Sequence, residues 1–289
     1  MRFGCCVALA SFVPPTSGAG SIQAGSRYEA QTAAVPAALR ALEEAGCDFA
    51  EFGVGMVGPE LPEESFNLFR SALDGASIKA ECFNSFIAPH VKLTGRDRDW
   101  SRIEQYVAVA AERVSAVGGG VIVFGSGGAR NVPDGFPREE AEAQLEEFLH
   151  MCADKAGAAG IQIAIEPLNR RESNILNTVE EADAMAKRVN RPEIAVLADF
   201  YHLMEEREPF EAIENCGSRL IHVHVADTGR LYPGSGRYDY PRFYEALYEA
   251  DYDRRISVEC NWNDFSAEAK LAAAYLRESY ADAVERFTR

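Results

Sequence analysis

Apolar and polar positions follow two rhythms along the chain, and the two rhythms take turns from one end to the other. Short apolar runs rich in β-branched residues predict strands at 2–10, 47–53, 78–86, 120–126, 160–166, 194–199, 219–226 and 255–261. Between them, amphipathic stretches predict helices at 31–45, 62–74, 98–117, 137–157 and 178–189, a short one near 205–214, then 240–250 and 265–287. The punctuation agrees. Thr178 and Glu181 form a T-x-x-E capping box at a helix start, Asp239 stands where it can cap another, and Gly46 closes a helix just before its strand. Eight strand–helix pairs run on with no Ser/Gly linker and no low-complexity segment. That pattern predicts parallel βα units, and eight units close a barrel. The expected fold class is α/β, a single (β/α)8 TIM barrel occupying 1–289 as one domain.

In such a barrel chemistry sits at the C-terminal strand ends, and side chains alternate between the barrel interior and the helix layer. Over the last four strands this parity is informative. Ile161, Ile163 and Ile165 share one face, leaving Gln162, Ala164 and Glu166 opposite. Ile194, Val196 and Ala198 leave Ala195, Leu197 and Asp199. Ile221, Val223 and Val225 leave Leu220, His222 and His224, and Ile256 and Val258 leave Ser257 and Glu259. With the β-branched faces against the helices, Glu166, Asp199, His224 and Glu259 converge at one mouth. Carboxylates crowded in a low-dielectric site repel unless a cation or shared protons intervene. A divalent ion satisfies all four groups, and a three-oxygen, one-nitrogen set suits Mn²⁺, Mg²⁺ or Co²⁺. His222 lies one period deeper and is expected to be a hydrogen-bonded core histidine.

Composition narrows the partners. With 29 Lys+Arg against 45 Asp+Glu the net charge is −16, which opposes a nucleic-acid partner. No apolar run has the length of a membrane span. The seven cysteines show no CxxC spacing and most lie in apolar runs, as expected of buried thiols in a reducing compartment. The N-terminal MRFGCCVALASFV resembles a short signal peptide but is expected to be a buried first strand, so a cytoplasmic location is expected.

At these residues the sequence resembles the sugar isomerase/epimerase superfamily of xylose-isomerase-like TIM barrels, and within it the ketose 3-epimerases (D-tagatose and D-psicose 3-epimerases). The stretches that carry the likeness are IAIEPLNRRESNILNT, LADFYHL, LIHVHVADTGRLYPGSGRYDY and ISVEC, with FNSFIAPHVKLTG and VFGSGGAR in the first half. The resemblance implies an isomerase, a racemase or epimerase acting on carbohydrates. It implies Glu166, Asp199, His224 and Glu259 as ligands of one divalent metal ion, Mn²⁺ first, with Glu172, His202 and Arg230 as substrate-binding residues. It makes Glu166 and Glu259 the catalytic pair, one removing a proton beside a ketose carbonyl and the other returning one through a metal-stabilised enediolate, with epimerisation at C3 favoured. The implied partner is a small sugar or polyol-derived substrate, and the implied assembly a homodimer or homotetramer.

Neighbouring chemistries stay open. Proton shuttling by His202 would give aldose–ketose isomerisation. An inosose dehydratase, hydroxypyruvate isomerase or sugar-phosphate epimerase shares most of the ligand set. An apurinic endonuclease would need a zinc cluster with further histidines, and His90, His150 and His222 are not placed for one. A sugar-binding barrel without catalysis does not call for two flanking glutamates. Phe83, Asn84, Phe86 and Trp262 are candidates for a sugar-packing wall, with core positions the competing reading. GSGGAR looks like a phosphate cradle but lacks the Lys-Ser/Thr of a P-loop. Turn chemistry is the expectation there, with a contact from Arg130 to a substrate phosphate or hydroxyl as the alternative. The YPGSGRYDY segment is expected to be a loop able to close on the site.

Overall fold

A computed structural model describes residues 1–13 and 24–287. Eight parallel strands close into a barrel in chain order. They are β1 (Arg2–Cys6), β2 (Phe49–Gly53), β3 (Ala80–Asn84), β4 (Val121–Phe124), β5 (Gln162–Ile165), β6 (Ile194–Asp199), β7 (Leu220–Val225) and β8 (Arg255–Val258). The N-terminal run is therefore a staple of the barrel, since β1 pairs with both β2 and β8. Helices α1 (Ala24–Glu44), α2 (Glu63–Ala72), α3 (Trp100–Ala116), α4 (Gly127–Arg130), α5 (Arg138–Ala159) and α6 (Val179–Val189) follow the first five strands. Helices α7 (Phe200–Glu206), α8 (Glu211–Cys216), α9 (Tyr240–Glu249) and α10 (Phe265–Phe287) follow the last three. Among the described residues, no helix is long and apolar enough to cross a membrane.

Local chemistry sets the helix ends. Thr178 caps α6 by accepting from the Glu181 amide, and Asp239 caps α9 through the Arg242 amide. The helix expected near 205–214 is two helices, because Arg207 adopts a left-handed conformation that ends α7 before α8 begins. Gly46 likewise takes a positive φ after α1.

The core has two compartments. Ile163, Ile165, Val196, Val223, Ile256 and Val258 pack outward with the helices. Phe49, Cys82, Val121, Val123, Ala164, Ala195, Leu197 and Ile221 fill the barrel axis. Alternation holds along β5 and β6 but slips at the base of β7. There Leu220 joins the outer layer and Ile221 the axis, the reverse of strict period two. The cause is a bulge: Val196 pairs with Leu220, but the next residue, Leu197, pairs with His222. Past it the parity recovers, so Asp199 and His224 sit side by side as ladder partners.

Candidate active site

Four of the side chains that parity selected meet at the C-terminal mouth. Glu166 follows β5, Asp199 ends β6, His224 lies on β7, and Glu259 follows β8. The Glu166 amide donates to the Phe124 carbonyl at 3.1 Å and the Glu259 amide to Val225 at 3.0 Å, so both glutamates are still anchored to the neighbouring strand. One ligand-type atom from each of the four lies within 4.8 Å of the other three. His224 Nδ1 is 3.2 Å from Glu166 Oε1 and 3.4 Å from Glu259 Oε2.

Burial makes this arrangement electrostatically demanding. It pushes Glu166 above the usual carboxylate range, a rise that the His224 hydrogen bond opposes. Burial acts the same way on Glu259, but His224 and Arg230 overcome it and draw that carboxyl down to about 2. His224 in turn is driven well above its ordinary value: burial disfavours its charge, and Glu51, Cys6, Glu259 and Glu166 outweigh burial.

Asp199 tests whether the quartet suits a cation. Its Oδ1 accepts from the Tyr201 and His202 amides at 2.7 and 3.2 Å, capping α7. Its Oδ2 is buried with no hydrogen-bond partner among the described residues. A buried carboxylate oxygen left unpaired is costly, and a metal ion is the partner that an oxygen-rich mouth of this kind accepts. The residues fit a divalent ion.

Three further residues ring the mouth. Arg230 donates to Glu172 Oε1 at 2.9 Å and to Glu259 Oε2 at 2.7 Å, with its guanidinium 5.0 Å above the Tyr201 ring. Its φ of 59° is a strained value for a side chain this long, taken where Gly229 and Arg230 turn back over the site. His202 is buried on α7, and its Nδ1 accepts from Asn169 Nδ2 at 2.8 Å. That leaves Nε2 as the ring's donor, buried without a partner among the described residues, 4.0 Å from Glu172 Oε2.

For several other candidates the packing alternative holds. Arg130 does not face a substrate. It is buried, and its guanidinium donates to the Phe124, Glu166 and Leu176 carbonyls at 2.8–3.0 Å. The GSGG glycines answer a packing need: a Cβ on Gly125 would stand 2.2 Å from Glu166 Oε2, and one on Gly127 2.7 Å from the Glu172 carbonyl. Phe83 and Phe86 are fully buried in the outer core, where Phe86 meets Phe124 and Phe148, so neither lines the mouth. Asn84 donates to Cys6 Sγ at 3.2 Å, and Trp262 is half-buried edge-on to Phe265. His90 pairs with Glu60. His222 is the core histidine expected.

Glu51 and Asn169 escaped the sequence reading. Glu51 is fully buried on β2 and touches His222, His224 and Ser257. The same parity that selects Glu166 would have selected it, since it shares the inward face of β2 with Phe49. Asn169 carried no signal of its own beyond its place in EPLNRRES.

A family model described as the xylose isomerase-like TIM barrel matches residues 39–279. The chain is 36% identical over 108 residues to a ketose 3-epimerase of Arthrobacter globiformis, a stretch covering 37% of each chain. It is 36% identical over 130 residues to an L-ribulose 3-epimerase of Methylomonas sp. (strain DH-1), covering 45% of this chain and 44% of that one. The matches thus span less than half the length of these curated relatives. The fold superposes on a D-allulose 3-epimerase from Methylomonas sp. solved in complex with D-allulose, with a TM-score of 0.80 at 22% identity and 97% coverage of both chains.

Proposed function

The chain belongs to the xylose isomerase-like TIM barrel family, and from that premise we propose that it is a metal-dependent sugar epimerase acting at C3 of a ketose. One observation carries the reading. Glu166, Asp199, His224 and Glu259 bring their ligand atoms within 4.8 Å of one another around a buried Asp199 oxygen that has no hydrogen-bond partner among the described residues. Those four residues would hold the ion, and their oxygen-rich set favours Mn²⁺, with Mg²⁺ or Co²⁺ as substitutes. When bound, the ion supplies Lewis-acid polarisation of the ketose carbonyl and stabilises the negative charge that develops beside it.

The chain's own residues do the rest. Glu166 and Glu259 approach from different strands, so one can take the C3 proton from one face of the sugar and the other return a proton to the opposite face. Epimerisation runs both ways, so each glutamate serves as base in one direction and acid in the other. His202 offers an Nε2–H donor to a substrate oxygen because Asn169 occupies its Nδ1. Arg230 and Glu172 grip each other at the rim and present a cation and a carboxylate to the sugar hydroxyls, fixing the plane in which the proton is lost. The relatives named 3-epimerases support C3 over C1 chemistry. The buried cysteines support a cytoplasmic setting.

The test is a screen of free and phosphorylated ketoses with the purified protein, with and without chelator. Chelator-sensitive conversion of a ketose to its C3 epimer is expected. Conversion that survives complete metal removal, or exclusive aldose formation, overturns the reading.

A further inference from the structure

Among the described residues, Glu51 is the one buried carboxylate at the axis that neither the proton transfers nor the ion site uses. It is fully buried on β2, below the quartet. Oε1 accepts from His224 Nε2 at 2.8 Å. Oε2 accepts from His222 Nε2 at 2.7 Å and from Ser257 Oγ at 2.6 Å. Three donors from β7 and β8 thus converge on one side chain of β2, linking strands that are not neighbours across the barrel. A carboxylate this deep is costly unless its hydrogen bonds are complete, and here both oxygens are partnered.

The arrangement has a directional consequence. An imidazole has two nitrogens, and the partner of one decides what the other can do. With Nε2–H of His224 committed to Glu51, Nδ1 is the nitrogen that faces Glu166 and Glu259 at 3.2 and 3.4 Å. His222 packs against the same ring, with centroids 5.1 Å apart and planes at 81°, and its own bond to Glu51 prevents it from rotating away. We propose that Glu51 is a positioning residue that locks His224 in the Nε2–H tautomer and ring orientation, so that Nδ1 is presented to the divalent ion. Ser257 and His222 hold Glu51 in turn. Residues that orient a ligating histidine typically raise metal affinity about 10- to 100-fold. The inference rests on the metal reading above.

The experiment is Mn²⁺ titration calorimetry on wild-type protein and on Glu51→Leu, Glu51→Asp and Glu51→Gln, with folding checked by circular dichroism. It is paired with imidazole ¹⁵N spectra of the Mg²⁺-loaded proteins. Glu51→Leu removes the acceptor, and Glu51→Asp keeps the charge but shortens the reach; both are expected to weaken Mn²⁺ binding about 10- to 100-fold and to lose the single Nδ1-ligated His224 signature. Glu51→Gln keeps an amide oxygen for Nε2–H and is expected to stay close to wild type in both readouts. Glu51→Asp carries the test if Glu51→Leu does not fold. Wild-type affinity in folded Glu51→Asp or Glu51→Leu, or a Glu51→Gln as weak as Glu51→Asp, overturns the proposal while leaving the metal reading intact. A wild-type protein that takes up no divalent ion overturns both.

Discussion

His202 Nε2 and Asp199 Oδ2 lie 3.8 Å apart at the barrel mouth, both buried, and neither has a hydrogen-bond partner among the described residues. Each such atom costs about 1–3 kcal/mol when left unpaired. The idle donor and acceptor side by side support the proposal that the carboxylate oxygen is held for an ion and the N–H for a substrate oxygen.

Asp199 commits Oδ1 to the α7 cap and leaves Oδ2 without a hydrogen-bond partner among the described residues, and an asparagine separates the cap from the proposed ion ligand. In Asp199→Asn the side-chain oxygen can still cap α7, as asparagine does well at such positions. The expected outcome is a thermal midpoint within a few degrees of wild type with Mn²⁺ affinity lowered about 100-fold or more. Calorimetry beside a melting curve checks both halves.

Asn169→Ala removes the shorter of the two hydrogen bonds to His202 Nδ1 and leaves the 3.3 Å bond from the residue-169 amide, so the ring is held less firmly with its donor toward the mouth. The expected effect is a rise in KM of about tenfold with kcat less affected, since roughly 1.4 kcal/mol of substrate hydrogen bonding is lost. Steady-state kinetics at saturating Mn²⁺ checks it. Equal loss in kcat alone would place His202 in proton transfer and favour isomerisation.

Gly125→Ala puts a methyl where the Glu166 carboxylate now lies, 2.2 Å from Oε2. Glu166 must swing aside. Turnover and Mn²⁺ affinity are both expected to fall at least about tenfold while the barrel stays folded, because the strain falls on one side-chain end rather than on the sheet. Parallel ion titration and rate measurement test this.

At the opposite end of the barrel, Glu81 accepts from Arg2 at 2.6–2.7 Å and from Arg255 at 3.1 Å. Burial alone would raise its carboxyl, but the two arginines hold it below its ordinary 4.5. A group depressed in the folded state adds stability above its unfolded pKa and loses it as pH falls through the folded value. Glu81→Gln should therefore cost about 1–2 kcal/mol at neutral pH, allowing for the half-exposed Arg2. The cost should fade as pH drops below about 4.5. Urea melts of both proteins across that pH range measure it.

The fold and the convergence of the candidate quartet were legible for a physical reason: strand parity and strand ends follow from chain geometry alone. Glu166, Asp199, His224 and Glu259 all lie past any irregularity of their strands. What escaped depends on contacts between distant segments. The bulge opposite Val196 and Leu197 swaps Leu220 and Ile221 and leaves no mark in the alternation. Gly125 and Arg130 left a ligand contact open as an alternative to turn chemistry, and their neighbours Glu166 and Leu176, far off in sequence, explain them. Glu51 stands between Ala50 and Phe52 on the inward parity of an ordinary strand, and what sets it apart, its meeting with His222, His224 and Ser257 across the barrel, is not visible along the chain.

The most direct test of the account is solvent-deuterium incorporation into free ketohexoses and ketopentoses incubated with the Mn²⁺-loaded protein in D₂O, read by NMR. Label is expected at C3 of both epimers, abolished by chelation and by Glu259→Gln. Label confined to C1, or C3 exchange undiminished after metal removal, would contradict it.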